Sequence, residues 1–345
     1  MKAAVFYEPG VVKVQDWPDP QVSGDEVLIR VMASGVCGTD LHIFDGAKGA
    51  SECYPPVVLG HEFSGVVEAV GPDVKGVKIG DHVTVDPNRG CGVCPDCQAG
   101  NPHFCKDMFA TGVGGDGGFA QLAKAREEQV YQIRKDIPFE QAAMSEPLAC
   151  CLHGIDQAQI KTGDTVLVIG GGTIGLLMVQ LAKMAGAATI ILSEPLENKH
   201  ELGRRVGADY CINPMKTTPF ELIEKEGIAR IDVTIECVGR TNTMQDALTY
   251  VSRGGHVLFF GLTPPDAEIP LKPYEVFQKE LMITSSFVNP HTQGRAAGLV
   301  NSGKLLLSEL ISERLSLDEM TKAFEIRGRN GKMMVFPNGM PECGA

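Results

Sequence analysis

The chain has 345 residues, 43% of them hydrophobic, which is enough to form two domains that each bury their own core. Its formal net charge of −12 and its pI near 5.2 argue against nucleic acid or an anionic membrane as the main partner, because the average surface would repel either. The longest apolar tract, 166–192, is interrupted by the glycine run 170–172 and by Lys183 and is therefore not a membrane span.

The first 150 residues predict a β-rich, barrel-like domain. Short alternating runs such as EVLIRVMASG (26–35) and FSGVVEAVG (63–71) lie between turn signals, which is typical of half-buried strands. We expect this domain over 1–150, with a cysteine-rich lobe at about 88–106.

From Thr162 the pattern changes to short apolar strands that alternate with helices, which predicts a parallel sheet covered on both faces. The predicted strands and the helix between the first two are TVLVIG (165–170), an apolar helix through Met184, TIILSE (189–194), DVTIEC (232–237) and HVLFFG (256–261). We expect this α/β domain over 151–285. Residues 286–345 then predict helices and a final strand, KMMVF (332–336), that return to the first domain.

A glycine motif joins the first strand of the α/β domain to the apolar helix. Gly170, Gly172 and Gly175 form a G-x-G-x-x-G in which Thr173 and Ile174 open the helix. The first glycine permits the tight turn, the second lets a pyrophosphate approach, and the third lets the helix pack on the strand. This context predicts a dinucleotide site.

The residue that ends the second strand indicates which dinucleotide binds. Glu194 follows Gly175 by nineteen residues, where an acidic side chain bonds the adenosine ribose hydroxyls. A carboxylate there repels a 2′-phosphate, so we expect NAD(H) rather than NADP(H). Three basic residues follow: Lys199, Arg204 and Arg205. They could contact the cofactor and weaken the preference for NAD(H), or they could form a solvated basic face of the helix.

Four cysteines, Cys91, Cys94, Cys97 and Cys105, have spacings of two, two and seven residues. Four thiolates in one loop match a closed tetrahedral zinc site that leaves no position for substrate. A redox pair would need only one C-x-x-C, so we favour structural zinc over a redox site or spare thiols.

The cysteine count and the start of the chain indicate the compartment. The first apolar run ends at Glu8, which is too short for the core of a secretory signal. Eleven cysteines, an odd number, then indicate a reducing environment, where clustered thiols bind metal more often than they form disulfides. We therefore expect a cytoplasmic protein.

Residues scattered through the first domain are candidates for an open metal site. They are Cys37, Thr39, His42, His61, Glu62 and Glu146. One thiolate, one imidazole and one carboxylate would leave a fourth position for water or a substrate oxygen. Taken singly, the cysteine could be a small core residue, the histidine a buried one and the glutamate a helix cap.

Four separated motifs occur in the order of a known family. CGTDLH (37–42), GHEFSGVVEAVG (60–71), the four-cysteine lobe and VLVIGGGTIG (166–175) resemble the zinc-containing medium-chain dehydrogenases of the alcohol dehydrogenase superfamily along essentially the whole chain. GHE together with EPL (146–148) is similar to the polyol (sorbitol) and L-threonine dehydrogenase branch. The resemblance implies a GroES-like catalytic domain, a Rossmann NAD domain, and two zinc ions per subunit, one catalytic and one structural.

The resemblance also implies roles for matching positions. Cys37 and His61 would bind the catalytic zinc, with Glu62 as a third ligand. Glu146 would either bind the metal directly or hold its water. Thr39 and His42 would carry the substrate proton to solvent, since a hydroxyl can bridge the proton and an imidazole can release it near neutral pH.

The substrate is less well indicated. SSFVNPHTQGR (285–295) places Val288 and Asn289 where sorbitol dehydrogenase has a basic and an aromatic residue, which puts sorbitol itself in doubt. His291 and Arg295 are polar candidates nearby, although a surface loop explains them equally well. The loop 112–121 is expected to border the cleft, and its glycines could allow movement.

The expected activity is NAD-dependent interconversion of a secondary alcohol, in a polyol or a sugar-derived compound, with its ketone. The rival enzymes are L-threonine 3-dehydrogenase and a dehydrogenase of phosphorylated polyols. A protein of another class, a catalytically silent dinucleotide sensor, would not need an open zinc site. By analogy with the family we expect a homodimer or homotetramer formed through the cofactor domains.

Overall fold

The structure, a computed structural model, describes residues 1–47, 52–327 and 330–340. The chain forms two compact units, unit 1 with Met1–Ala149 and Val288–Ala345 and unit 2 with Cys150–Phe287. The last five residues of the predicted C-terminal segment lie outside the described residues. Among the helices of the described ranges, none has the length and apolar character needed to cross a membrane.

The strands of the described residues are numbered in chain order. They are β1 (Lys2–Glu8), β2 (Val11–Asp16), β3 (Glu26–Val36), β4 (Val57–Val58), β5 (Glu62–Val70), β6 (His82–Val85), β7 (Asn88–Arg89), β8 (Phe109–Ala110), β9 (Leu122–Arg126), β10 (Val130–Ile133), β11 (Thr165–Ile169), β12 (Thr189–Ser193), β13 (Tyr210–Ile212), β14 (Val233–Glu236), β15 (His256–Phe259), β16 (Met282–Ser285), β17 (Ile311–Ser316) and β18 (Lys332–Phe336).

The α-helices are numbered in the same way. They are α1 (Gly38–Phe44), α2 (Pro95–Gln98), α3 (Phe139–Ala143), α4 (Ser145–Ala158), α5 (Thr173–Ala185), α6 (His200–Arg205), α7 (Pro219–Glu226), α8 (Thr241–Tyr250), α9 (Pro273–Lys279), α10 (Gln293–Ser302) and α11 (Met320–Ile326). Short 3₁₀ turns lie at Pro102–Phe104, Glu127–Gln129, Glu197–Lys199, Ser308–Leu310 and Leu317–Glu319.

Unit 1 is β-rich, as the sequence predicts. Its largest sheet has the order β10-β6-β5-β3-β18-β17, with β9 also paired to β3, and two smaller sheets have the orders β2-β1-β4 and β7-β8. Alternate residues of β3, including Val27, Ile29 and Val31, are fully buried and pack with Phe63 and Val67 of β5. This period-2 burial explains why the alternating sequence runs form strands.

The pairing of β3 with β5 brings two distant motifs together. The two strands are antiparallel, and Gly35 near the end of β3 lies opposite Glu62 at the start of β5. Cys37 directly follows β3, and His61 directly precedes β5. The register therefore places these side chains at the same end of the sheet.

Unit 2 is a parallel six-stranded sheet with the order β13-β12-β11-β14-β15-β16. The four residues of β14 and the five of β11 are all buried, which is the burial expected when helices cover both faces of a parallel sheet. The strand order is that of a doubly wound dinucleotide-binding fold. The predicted fold class is thereby confirmed.

The C-terminal part departs from the sequence prediction in one element. β18 pairs with β3, as the predicted return to the first domain requires, and α10 and α11 are helical. Ile311–Ser316, within a stretch predicted to be helical, instead forms β17, which pairs parallel with β18. Ile311 and Leu315 are buried in that strand, and tertiary pairing outweighs the local helical pattern.

Candidate active site and metal centres

The four cysteines of the lobe form one cluster in unit 1. The sulfur atoms of Cys91, Cys94, Cys97 and Cys105 all lie within 4.8 Å of one another. Three backbone N–H groups point at these sulfurs: Cys94 donates to Cys91 Sγ (3.3 Å), Cys97 to Cys94 Sγ (3.5 Å) and Cys91 to Cys105 Sγ (3.4 Å). Hydrogen bonds donated to a sulfur atom favour its thiolate form.

The thiols of this lobe have unequal acidities. Hydrogen bonds from the backbone N–H groups of Val93 and Cys94 lower the pKa of Cys91 to about 7. Burial and the neighbouring thiols raise the pKa of Cys97 to about 12. Four adjacent thiolates therefore need a cation, and a soft divalent ion with four sulfur ligands fits this donor set.

A second, open cluster lies where β3 ends and β5 begins. One ligand atom each from Cys37, His61 and Glu62 lies within 4.8 Å of the other two. His61 is 7% and Glu62 only 1% exposed, so burial would be unfavourable for their charged forms without a counter-ion. A thiolate, an imidazole and a carboxylate suit zinc and leave a fourth coordination position free.

Asp40 contacts both Cys37 and His61 of this cluster. It is fully buried, its Oδ2 accepts a 2.8 Å hydrogen bond from the Cys37 N–H, and its Oδ1 lies 3.5 Å from His61 Nδ1. Burial alone would lower the pKa of His61, but the charges of Asp40 and Cys37 hold it well above its usual range. With Nδ1 directed to Asp40, Nε2 of the imidazole is left for a metal.

The sequence interpretation did not include Asp40. A local signal existed, because Asp40 is the third residue of α1 and Cys37 is the residue that precedes the helix, the spacing at which an acidic side chain reaches back to a helix-capping N–H.

Lys332 is a second residue that the sequence interpretation did not include. Its Nζ forms an ion pair with Glu62 Oε2, and both side chains are buried. Burial by itself would lower the pKa of Lys332, but Glu62 and Cys37 raise it overall. The partners are brought together only by sheet pairing, so no local sequence signal exists.

Glu146 lies in the first turn of α4 and is 5% exposed. Burial raises its pKa to about 7, and the nearby Glu62 carboxylate adds to the effect while His61 opposes it. Glu146 is thus in electrostatic range of the open cluster, but its carboxylate does not belong to the group of atoms within 4.8 Å. Its role as a zinc ligand stays a prediction.

Thr39 and His42 lie on α1, directly after Cys37. They are three residues apart, so they lie on one face of the helix, and both are half-buried. The helix therefore places the two side chains on the same face. Their role as a proton relay stays a prediction.

The glycines of the loop 112–121 allow close contacts with neighbouring atoms and do not leave open space around the loop. A Cβ at Gly112 or Gly117 would overlap the carbonyl oxygen of Gly60. Gly118 donates a 2.7 Å hydrogen bond to the same carbonyl. Because Gly60 precedes His61, these contacts fix the position of a candidate ligand.

The dinucleotide motif has the predicted local geometry. Gly170 has a φ of +102°, a left-handed conformation that favours glycine. A Cβ at Gly175 would overlap the carbonyl oxygen of Gly170, whereas one at Gly172 would meet no atom within 4 Å. The third glycine thus packs helix on strand, and the second leaves an open surface at the N-terminus of α5, where Thr173 and Ile174 begin the helix.

Glu194 lies directly after β12, against this glycine loop. Its Oε2 accepts a 2.7 Å hydrogen bond from the Gly171 N–H, and its Oε1 accepts a 2.9 Å bond from the Leu196 N–H. Lys199 ends the following 3₁₀ turn and is half-buried, while Arg204 and Arg205 are exposed. Glu194 is therefore in direct contact with the loop.

The stretch predicted to contribute to the substrate pocket is held in unit 1 by hydrogen bonds. Asn289 is 1% exposed, donates to Asp86 Oδ1 (3.1 Å) and accepts from Asn88 Nδ2 (2.6 Å). His291 Nε2 lies 3.0 Å from the Gly100 carbonyl oxygen. Val288 and His291 both have left-handed backbones, with φ of +49° and +58°. These contacts hold a strained loop beside the cysteine lobe, while Arg295 is exposed.

Comparison with known proteins matches both units. Residues 23–135 match the family model "Alcohol dehydrogenase GroES-like domain", and residues 173–301 match "Zinc-binding dehydrogenase". The chain is 34% identical over 345 residues to sorbitol dehydrogenase of Bacillus subtilis (strain 168), covering 98% of both chains. It is also 34% identical over 346 residues to L-threonine 3-dehydrogenase of Thermococcus kodakarensis, covering 98% of this chain and 97% of the relative.

A solved structure is similar in both fold and sequence. A zinc-binding dehydrogenase from Sinorhizobium meliloti 1021, bound to NADP, has a TM-score of 0.92 and 37% identity, covering 97% of this chain and 99% of that one. Fold and site together define a dehydrogenase that binds zinc and a nicotinamide dinucleotide. The chain belongs to the zinc-containing medium-chain dehydrogenases of the alcohol dehydrogenase superfamily. It is an oxidoreductase that acts on small-molecule alcohols.

Proposed function

We propose that the chain interconverts a secondary alcohol, in a polyol or sugar-derived compound, with its ketone, using NAD(H) and a catalytic zinc held by Cys37, His61 and Glu62. The observation that carries this proposal is the buried three-ligand cluster at the junction of β3 and β5, because three protein ligands leave a position for a substrate oxygen. When bound, zinc supplies a Lewis acid for the alcohol oxygen and the nicotinamide accepts a hydride.

Residues of the chain itself would transfer the substrate proton to solvent. Thr39 would accept the hydroxyl proton of the substrate and pass it along, because a short hydroxyl can both donate and accept. His42, one helical turn further on α1, would release it to water. Glu146 would bind the metal directly or hold its water, and a pKa of about 7 would let it exist in both protonation states near neutral pH.

We assign NAD(H) as the cofactor on the position of Glu194. The Gly171 N–H holds its carboxylate at the end of β12, where a ribose with free hydroxyls can be accepted and a 2′-phosphate is repelled. Gly170, Gly172, Thr173, Ile174 and Gly175 would bind the pyrophosphate. Lys199 is the nearby cation that would contact the cofactor.

The cysteine lobe would hold the second zinc. Cys91, Cys94, Cys97 and Cys105 would coordinate it as four thiolates, and the N–H groups aimed at three of these sulfurs support that assignment. A closed site of this kind stabilises the fold and takes no part in the reaction. Unit 1 would therefore be the catalytic domain and unit 2 the cofactor domain.

A screen of substrates tests the proposal. The purified chain is incubated with NAD at alkaline pH and with polyols, sugar phosphates or L-threonine, and NADH absorbance is followed. We expect turnover with a polyol or sugar alcohol. Turnover only with threonine would favour the second candidate, L-threonine 3-dehydrogenase, which a relative of equal identity supports. Turnover only with a phosphorylated polyol would favour the third, and none with any alcohol or ketone would favour the sensor.

We also propose that two copies associate through unit 2. β16 lies at the edge of the sheet, and its Met282 is 44% exposed, with Tyr274 and Phe277 of the preceding α9 at 68% and 77%. An unpaired strand edge beside exposed apolar side chains fits a second copy of the same surface.

Light scattering after gel filtration tests this association. Phe277→Glu should lower the molar mass by about half or more. Met215→Glu, which changes a residue of unit 2 that is 84% exposed, should leave it unchanged. A monomeric wild-type chain at micromolar concentration would contradict the proposal.

A reducing location for the chain is supported by its thiols. The ten cysteines of the described residues are all free of disulfides, which is the pattern of cytosolic proteins. We therefore propose a cytoplasmic enzyme.

A further inference from the structure

Asp116 of the loop 112–121 connects two other segments of unit 1. Its Oδ2 accepts a 2.9 Å hydrogen bond from the indole Nε1–H of Trp17, and its Oδ1 accepts a 2.9 Å bond from the backbone N–H of Val58. Trp17 directly follows β2, and Val58 ends β4. Because a carboxylate accepts at both of its oxygens, this one side chain fixes the loop relative to both segments.

The loop continues this contact along the residues that lead to His61. Three consecutive backbone N–H groups of the loop donate to the three consecutive carbonyl oxygens that precede the histidine. The pairs are Gly117 with Val58 (2.8 Å), Phe119 with Leu59 (3.0 Å) and Gly118 with Gly60 (2.7 Å). Both residues of each pair are buried, so a lost bond would leave a buried polar group without its partner.

The packing leaves little room for His61 to shift independently of the loop. Gly60 has a φ of +93°, and a Cβ at this position would lie 2.8 Å from the ring of Phe119. Phe119 is itself only 1% exposed. A displacement of the loop is therefore passed to Gly60, and His61 is the next residue of the chain.

We propose that Asp116 is a positioning residue that holds His61 in place before the metal binds, and that Trp17 responds to the metal through the same contacts. Metal binding is tighter when a ligand does not have to be ordered at the moment of binding. The coupling is reciprocal, so zinc on His61 also stabilises Asp116 and its indole partner. This inference rests on the proposed function, because it requires zinc at the cluster of Cys37, His61 and Glu62.

A zinc competition experiment tests the positioning role. The zinc-loaded chain is titrated with a chromogenic chelator, and the open cluster is the site that is missing from Cys37→Ser. Asp116→Ala removes both hydrogen bonds and deprives the buried Val58 N–H of this acceptor. We expect zinc affinity at the open cluster to fall by about tenfold, the lower end of what outer partners of metal ligands contribute. Affinity at the cysteine lobe should stay unchanged.

Two milder variants grade the effect. Asp116→Asn has a single side-chain oxygen and can accept from only one of the two N–H groups, so it should lose less zinc affinity than Asp116→Ala. Trp17→Phe removes the indole donor alone and keeps the bond to Val58, so it should lose the least. Asp73→Ala, at an exposed position of the same unit, is the matched control and should bind zinc like the wild type.

The emission of Trp17 measures the same coupling independently, because Trp17 is the one tryptophan of the chain. We expect the emission of the wild type to change when EDTA removes zinc from the open cluster. The change should be absent in Asp116→Ala, which lacks the connection, and in Cys37→Ser, which lacks the site. A merely structural role of Asp116 would weaken both zinc sites alike and would not produce this zinc-dependent emission.

The outcomes distinguish this inference from the proposed function. If Asp116→Ala does not fold, Asp116→Asn is measured in its place. A wild type with zinc at both sites would overturn this inference alone if the Asp116 variants kept full affinity at the open cluster or lost affinity equally at both sites. A Trp17 emission that ignores zinc at the open cluster would do the same. A wild type with no Cys37-dependent site would overturn the proposed function and this inference with it.

Discussion

The carboxylate of Glu194 accepts a 2.7 Å hydrogen bond from the backbone N–H of Gly171. This contact joins the end of β12 to the glycine loop that precedes α5, and a Cβ at Gly171 would lie 2.9 Å from the same carboxylate oxygen. The side chain that we assign to cofactor choice is therefore part of the loop's own hydrogen bonding. Its geometry is fixed before any dinucleotide binds.

Replacing Glu194 should change the cofactor preference. In Glu194→Gln the negative charge is lost, so a 2′-phosphate is no longer repelled. The amide oxygen can accept from only one of the two N–H groups, of Gly171 and Leu196, that the carboxylate accepts from, because the NH2 end is a donor. We expect kcat/KM for NAD to fall and the ratio of NAD to NADP efficiency to fall by about tenfold or more. Steady-state kinetics with both cofactors measures this.

Glu201→Gln, which removes the same charge from an exposed position of α6, is the matched control. An unchanged ratio of NAD to NADP efficiency in Glu194→Gln would show that Glu194 does not determine cofactor choice.

Replacing Cys94 should damage stability before chemistry. Cys94→Ser breaks the four-sulfur site and removes the sulfur that accepts the Cys97 N–H. We expect zinc content to fall from about two to about one per chain and the thermal midpoint to drop, since structural zinc sites contribute folding energy. Elemental analysis and calorimetry check this, with Cys211→Ser, a half-buried thiol of unit 2, as the control. A stable, zinc-replete Cys94→Ser chain without hydride transfer would mean that the two metal sites are assigned the wrong way round.

Replacing His42 should produce a pH-dependent defect. His42→Ala removes the group that delivers the substrate proton to water, and hydroxide can take over that role only at high pH. We expect activity to fall by about tenfold near pH 6.5 and by less than about threefold near pH 9.5. A pH profile of kcat/KM measures this, and His256→Ala in unit 2 serves as the control. An equal effect across the whole range would exclude His42 from the relay.

Asp86 should make stability depend on pH. Burial raises the pKa of Asp86 to about 6, so the folded state holds its proton more tightly than the unfolded chain does. Its contribution to stability is therefore fully present below about pH 4, falls between about pH 4 and 6, and is constant above that range. Urea unfolding of wild type and Asp86→Asn at both ends of the range measures the difference.

Asp86→Asn cannot ionise, yet its Oδ1 can still accept from the Asn88 N–H and from Asn289. We expect it to be more stable than wild type by about 1–3 kcal/mol near pH 8 and equal to it near pH 4. Asp107→Asn, at an exposed position near the lobe, should show no such change. A destabilised Asp86→Asn at pH 8 would mean that the ionised carboxylate is stabilising.

Much of the architecture could be predicted because it depends on local spacing. The alternation in β3 and β5, the glycine motif before α5 and the continuous apolar strands of unit 2 are each contained in a few consecutive residues. β17 was predicted wrongly because the local pattern of its stretch is helical, whereas its pairing with the distant strand β18 decides its conformation.

By itself the sequence determined the β-rich and dinucleotide-binding halves and the four-sulfur lobe, since each follows from short-range patterns of residue type. The candidate ligands Cys37, His61 and Glu62 came from the resemblance of their motifs to a known family. Only the tertiary structure decided which groups surround those ligands. Asp40 meets His61, and Lys332 crosses Gly35 to reach Glu62, because antiparallel pairing brings β3, β5 and β18 side by side. Register between distant strands is set by the buried face of the whole sheet, and that information is not present in any one segment.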